Sequence, residues 1–271
     1  MKLERVLVPT DFSDVAECAF MDAIEFAKHS DVEVCHLHVV ESRDEVEYAR
    51  RRLNKISNEV YGDFGVKVRD IIRIGEFKKA IGDVALEIDV QLIIMGTSGM
   101  QGMQVLTGSH AMKILTNAPR PILIVQQCRL RPGFQNIVVP LDLKDETKQK
   151  LDIAVLVATV FKARVHLLAL RESDEFLKTK MDQTIHHVSK YLKDHKIDFT
   201  LNYEEESHFS DRLIKFAELV SADLITIINY KEFIVTEIFG LSREQNLITN
   251  NANIPILCVN AKETAKIVGG Y

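Results

Sequence analysis

Hydrophobic and polar positions alternate in blocks along the chain, and the blocks change period. Val6-Leu7-Val8 is a continuous apolar run of strand length. Ser13 offers an N-cap for a helix from Asp14 to about His29, where Val15, Ala19, Ala23, Phe26 and Ala27 recur at three- and four-residue steps. Residues 32–40 return to a strand, and Asp44 to Tyr61 reads as a charged amphipathic helix. Val66 to Ile74 reads as a strand, Glu76 to Ile88 as a helix and Gln91 to Met95 as a strand. A glycine-rich loop follows, then a short helix from about Ser109 to Thr116 and a last strand, Pro121 to Val125. Apolar runs separated by helices of crossover length predict a parallel sheet covered on both faces.

The pattern then repeats. Arg5 to Asp11 (RVLVPTD) matches Asn136 to Asp142 (NIVVPLD) at an offset of 131. Val32 to Val40 matches Lys162 to Leu170 at 130, Val90 to Gly96 matches Ala222 to Ile228 at 132, and Pro121 to Val125 matches Pro255 to Val259 at 134. Four matches in one order at a nearly constant offset imply two copies of one unit. Gln126 to Gly133 is polar, carries Pro132-Gly133, and marks the boundary. The expected domains are 1–127 and 134–261, with a frayed tail from Ala261. The fold class is α/β, two tandem five-stranded and mostly parallel sheets with helices on both faces. A single eight-stranded barrel would show uniform βα units instead of a five-strand block used twice.

Composition narrows the function. The 271 residues are 46% hydrophobic and 27% charged, a globular balance that excludes disorder. A net charge of -5 gives no nucleic-acid surface and no polybasic membrane anchor. No apolar run approaches the roughly 18 residues of a membrane span, and Met1 to Arg5 lacks a signal-peptide core. Cys18, Cys35, Cys128 and Cys258 fit neither a zinc spacing nor a disulfide framework, which predicts a reduced, cytoplasmic protein with Cys18 and Cys35 as core thiols.

The stretch most suited to chemistry is Met95 to His110, MGTSGMQGMQVLTGSH, placed after a buried strand and before a helix. Ligands of open α/β sheets bind at such strand ends. Gly96 and Gly99 permit close backbone approach and positive φ, and Gly108-Ser109 would present free N–H groups and a hydroxyl to a phosphate. No Gly-Lys-Ser/Thr follows, so this is not a P-loop, and the spacing is not the dinucleotide fingerprint. The alternative is that these glycines only make a tight turn.

These motifs together resemble the universal stress protein family in its tandem two-domain form. The resemblance rests on Val8-Pro9-Thr10-Asp11-Phe12-Ser13, His38-Val39, Met95-Gly96-Thr97-Ser98-Gly99, Gly108-Ser109 and Pro121 to Val125. It implies a Rossmann-like α/β fold of the adenine nucleotide alpha hydrolase type, and a G-x2-G-x9-G-S/T pattern for ATP in nucleotide-binding members. Carried over residue by residue, it implies contacts from Pro9, Thr10, Asp11 (toward ribose), Val39 (backbone toward adenine), Met95, Gly96, Gly99, Gly108, Ser109 and His110. ATP, or ADP or AMP in its place, is the implied cofactor, with magnesium as a companion ion. Met100 to Thr107 is eight residues where the family pattern has nine, which shifts the register of Gly108 and Ser109.

The second copy departs further: Gly96 becomes Ile228, Gly99 becomes Lys231 and Ser109 becomes Leu241, with only Gly240 and Asp142 retained. It is expected to be structural. Fifth strands in this family pair across a dimer, so Ile122 to Val125 is expected to pair with Ile256 to Val259 inside one chain, a pseudo-dimer that leaves a homodimer open. Two functions stay open. One is a stress-response module with a single adenine-nucleotide site in the first copy. The other is an interaction protein that binds no nucleotide. Catalysis beyond slow ATP hydrolysis is not expected, because no dedicated base or second acidic cluster is evident. An adenylate-forming enzyme would need a Ser-Gly-Gly or His-x-Gly-His motif near the first helix, and neither is present. Asp11 has a second reading as the cap of its own turn, His110 as an exposed helix-start residue, and Met100 and Met103 as loop packing. His36 and His38 share a strand face and read as packed histidines.

Overall fold

The structure is a computed structural model that describes residues 2–97, 114, 118–128, 133–141, 143, 147–205, 209–229 and 250–260. The apolar runs form strands: β1 (Arg5–Thr10), β2 (Glu33–Val40), β3 (Val68–Ile74), β4 (Leu92–Gly96) and β5 (Ile122–Val125) in the first half. The second half repeats them as β6 (Asn136–Leu141), β7 (Arg164–Leu170), β8 (Phe199–Glu204), β9 (Leu224–Asn229) and β10 (Ile256–Asn260). Helices α1 (Asp14–His29), α2 (Val46–Phe64) and α3 (Phe77–Glu87) connect the first set; α4 (Thr147–Phe161), α5 (Glu175–Asp194) and α6 (Phe209–Leu219) connect the second.

Local chemistry sets the helix ends. Ser13 caps α1 by accepting from the Ala16 N–H, and Asp14 and Glu17 place negative charge in the first turn. Helix α2 runs past the expected Tyr61 to Phe64, where Gly65 at φ 70° takes the left-handed cap. Asp174 caps α5 by accepting from the N–H groups of Phe176 and Leu177.

The strand order is β3-β2-β1-β4-β5-β10-β9-β6-β7-β8, one ten-stranded sheet. Each half therefore has the same internal order, and all pairs but one are parallel. The exception is β5 against β10, antiparallel, with Ile124 opposite Ile256, Leu123 opposite Leu257 and Ile122 opposite Cys258. The expected pairing of fifth strands thus exists, and it merges the two expected sheets into one. The repeat extends to the backbone: Asp89 and Ser221, each just past a helix, both have φ 51°.

Two apolar cores lie on the two faces, and both cross the boundary between halves. On the face that carries α1 and α4, Phe134 is fully buried. Its ring stands 5.6 Å from Phe26 of α1 and 5.1 Å from Phe161 of α4, and Phe26 meets Phe161 at 4.8 Å. Gly133, at φ 83°, makes the turn that delivers Phe134 there. Among the described residues no helix is long and apolar enough to cross a membrane.

Phe134→Ala is expected to cost about 3–5 kcal/mol of stability by opening a cavity between the halves. Phe176→Ala, at a residue 76% exposed, is expected to stay within about 0.5 kcal/mol of wild type. Urea unfolding of both variants measures the difference.

Candidate functional site

Strands β1 and β4 lie at the centre of the first half, and the chain runs outward from them in opposite directions. That is a topological switch point, where a crevice opens at the carboxyl ends. The β1–β4 ladder holds only Val6 against Leu92 and Leu7 against Ile93. Beyond it β1 continues to Thr10, and Pro9 has no N–H to give to a ladder. Strand β2 continues further still: its ladder with β1 ends at Thr10 opposite His38, leaving Val39 and Val40 paired only with β3, at Arg73 and Ile74. Pro9, Thr10, Asp11, Val39, Met95 and Gly96 thus come together at one end of the sheet. Gly99, Gly108, Ser109 and His110 lie outside the described residues, as do Met100, Met103, Asp142 and Gly240.

The turn after β1 is tightly specified. Phe12 adopts φ 62°, a left-handed conformation uncommon for a bulky side chain. Its ring packs 4.3 Å from His38, and the Arg52 guanidinium lies 4.2 Å from the ring centroid on α2. Thr10, 4% exposed, accepts the Phe12 N–H at 2.9 Å. Asp11 is exposed, and its Oδ1 accepts from the Ser13 N–H at 3.0 Å and the Ser13 hydroxyl at 2.5 Å. The carboxylate therefore does cap its own turn. Its Oδ2 makes no hydrogen bond or ion pair among the described residues. Nothing in the charged pattern of α2 singles out Arg52; its seat on Phe12 needs the tertiary fold to be seen.

Gly96 has an internal reason to be glycine. A Cβ there would run into the carbonyl oxygen of Val15 and stand 2.8 Å from the Ala16 nitrogen, so the first turn of α1 lies directly on β4. Gly96 does not belong to the glycines with positive φ, which among the described residues are Gly65, Gly75 and Gly133. The expected positive φ is not used; close backbone approach is, but by α1. The next residue, Thr97, is 4% exposed and donates its N–H to Val125 at 2.8 Å, which fixes the root of the glycine-rich segment. In the second half, the register that sets Gly96 opposite Val125 sets Ile228 opposite Val259. Ile228 is 6% exposed, so a branched side chain fills the place of Gly96.

The strand histidines are packed, and no group of three metal-binding side chains occurs among the described residues. His38 Nδ1 lies 2.8 Å from the Thr10 carbonyl. His36 is 2% exposed and stacks on Phe20 at 4.2 Å. Burial, then the neighbouring His38, pushes its pKa down to about 3, and its Nδ1 has no hydrogen-bond partner. The corresponding His166 is satisfied at both nitrogens, by Thr200 at 2.9 Å and Asn136 at 3.0 Å. A cavity of about 490 Å³ lies between α1 and α2 beside His36, Phe20 and Phe12.

One expectation fails outright. Cys18 of α1 and Cys128, just past β5, form a disulfide across 110 residues, with Cα atoms 4.7 Å apart. Cys18 is not a free core thiol, and the expectation of a reduced protein without disulfides fails with it. The spacing cannot reveal the bond, because the pairing is made by the way α1 lies across β4 and β5. Cys35 and Cys258 lie outside the disulfide and are buried thiols.

The profile of the Universal stress protein family matches residues 2–126. A universal stress protein of Methanocaldococcus jannaschii is 29% identical over 144 residues, 46% of this chain and 82% of the relative. A relative in Staphylococcus aureus (strain USA300), named for the same family, is 30% identical over 160 residues, 53% of this chain and 96% of the relative. Over the full length, a universal stress protein crystal structure from Archaeoglobus fulgidus superposes with a TM-score of 0.76 at 17% identity, covering 96% of this chain and 99% of that one. The last likeness is one of fold.

Gly96→Ala is expected to destabilise by about 1–3 kcal/mol through overpacking against α1. Gly62→Ala, on the open face of α2 with nothing within 4 Å, is expected to stabilise by about 0.5–1 kcal/mol. Thermal melts separate the two signs. His36 is buried neutral, so the unfolded chain binds its proton first as pH falls. Stability should drop between about pH 6.5 and 3, by about 2 kcal/mol from pH 7 to pH 5. His36→Phe should remove that part of the pH dependence in urea titrations at the two pH values.

Proposed function

This chain belongs to the universal stress protein family, and from that premise we propose that it is a stress-response regulatory protein binding an adenine nucleotide in its first half. One observation carries the reading. The β1 and β4 ends part beyond a two-pair ladder, and Asp11, Val39 and Gly96 sit around the opening. Gly99, Gly108 and Ser109 continue the family's nucleotide pattern from that point along the sequence. The ligand is ATP, or ADP or AMP, with magnesium as companion.

The site acts by binding. A nucleotide held there acts by shifting a loop or an interface. Slow hydrolysis is the most that chemistry without a positioned base allows. The second half is a second, degenerate universal stress protein domain; Ile228 fills the position of Gly96, and its work is to complete the sheet through β10. The domains are 1–127 and 134–261, a pseudo-dimer within one chain. Contact between two chains would have to use other surfaces than β5 and β10, such as the outer edges β3 and β8. The setting is the cytoplasm.

The competing reading is an interaction protein without nucleotide. The eight-residue Met100 to Thr107 spacing favours it, as does the packing reason for Gly96. The two readings separate in one experiment. Nucleotide released by denaturing the purified protein is identified by mass, and ATP with magnesium is titrated calorimetrically. We expect about one nucleotide per chain, with affinity lost at least tenfold in Gly108→Val and weakened in Asp11→Ala. No released nucleotide and no heat at millimolar ATP overturns the reading and moves the search to protein partners.

A further inference from the structure

The Cys18–Cys128 bond is not explained by folding. Disulfides carry small domains that cannot bury a sufficient core. This sheet of ten strands has apolar cores on both faces. Helix α1 is already held to it by Ala19, Phe20, Ala23, Ile24 and Phe26, each 2% exposed or less.

The bond is also placed for exchange. Cys18 is 6% exposed, but Cys128 is exposed, three residues beyond the end of β5. An outside thiolate can reach one sulfur and not the other, and access selects the sulfur attacked. The remaining thiols are withdrawn: Cys35 is fully buried and Cys258 is 3% exposed. Burial pushes the Cys35 thiol up to about 11, away from the reactive thiolate.

The mechanical position is specific. Cys18 lies one turn after Val15, whose carbonyl presses on Gly96 at the end of β4. Cys128 lies where the chain leaves the first half on its way to Phe134 and β6. The bond ties the first helix to that exit, across the strand end from which the glycine-rich segment departs.

We propose that Cys18–Cys128 is a reversible thiol–disulfide modification site, taking a small thiol and its disulfide such as the glutathione couple, and that its state sets how firmly the exit of the first half is fastened to α1. A glutathione thiolate attacks Cys128 Sγ, the Cys128–Cys18 bond breaks, and Cys18 leaves as a thiolate that takes a proton. A second glutathione thiolate attacks the glutathione sulfur of the mixed disulfide and releases Cys128 as a thiolate, which is protonated in turn. Two glutathione molecules are oxidised to one glutathione disulfide, and one protein disulfide is reduced to two thiols. Oxidation runs the same steps backward. Nothing in this chemistry requires a bound nucleotide.

The test uses the full chain in glutathione buffers of graded ratio, quenched in acid, then unfolded and titrated for thiols. Of the four cysteines, one pair is disulfide-bonded and two are thiols outside the bond. Two thiols per chain are expected in oxidising buffer and four in reducing buffer, with a reversible transition between them while the protein stays folded. Cys128→Ser should give three thiols throughout, and Cys35→Ser should keep a transition of two. The reduced protein should melt lower by several degrees, up to about 10 °C. Amides of Gln126 to Cys128 should exchange at least fivefold faster on reduction. A bond that resists 10 mM reduced glutathione until the chain is unfolded would be a permanent brace and would overturn the proposal. So would four thiols in oxidising buffer, or a transition that leaves melting and exchange unchanged.

Discussion

Three residues of β5 face three of β10 across an antiparallel ladder, and the rest of the molecule is arranged around that contact. A parallel five-stranded sheet ends in a strand with unpaired N–H and C=O groups on one side, a template for aggregation. Here each half covers the exposed edge of the other. The contact is short, so it cannot carry the join alone. The apolar cores on both faces run through it, and Phe26, Phe134 and Phe161 close it on the α1 and α4 side. The free edges are pushed out to β3 and β8, whose residues are mostly half-buried or exposed. Burying Ile122 to Val125 completely also fixes the carboxyl end of β4 beside them, and with it the root of the glycine-rich segment.

Gly96 shows how one residue can satisfy two demands. Its lack of a Cβ lets the first turn of α1 lie on β4. The family pattern asks for glycine at the same position. The packing demand alone is enough to require glycine, so glycine here is not by itself a sign of a phosphate. Asp11 is similar. One oxygen is used in the turn with Ser13, and the other makes no hydrogen bond or ion pair among the described residues. Neither residue distinguishes a site from a turn when it is considered singly; what they offer is their placement together at one strand end.

Much of this was legible in the chain. The offsets of 130 to 134 between matched runs correspond to strands that occupy equivalent places in the sheet. Apolar periodicity located α1 to the residue because Ser13 and the acidic first turn mark its start. Pro9 and Pro140 mark where β1 and β6 part from β4 and β9, after ladders of two pairs each. What could not be read was contact between distant elements. The Cys18–Cys128 bond spans 110 residues and depends on the crossing of α1 over the sheet. Arg52 on Phe12, and Val15 on Gly96, are likewise products of the fold with no local signature.

The halves share a topology and differ in what they leave unsatisfied. In the second, His166 bonds through both ring nitrogens and Ile228 fills its strand end. In the first, His36 Nδ1 has no hydrogen bond; the Asp70 carboxylate opposite it stands 4.0 Å away and accepts from Ser57. Phe12 holds a left-handed turn between His38 and Arg52. Such departures cost stability, of order 1–3 kcal/mol for a strained backbone residue, and persist where function maintains them. In a chain built by duplication, each half tests the other. A feature needed only for folding should recur in both, and the β1–β4 opening does recur. The Phe12 turn, the exposed Asp11 and the close-packed Gly96 gather at one end of the first half. The second half folds with Ile228 in place of that glycine, so glycine at this point answers to how α1 lies on β4 in the first half and not to the sheet as such.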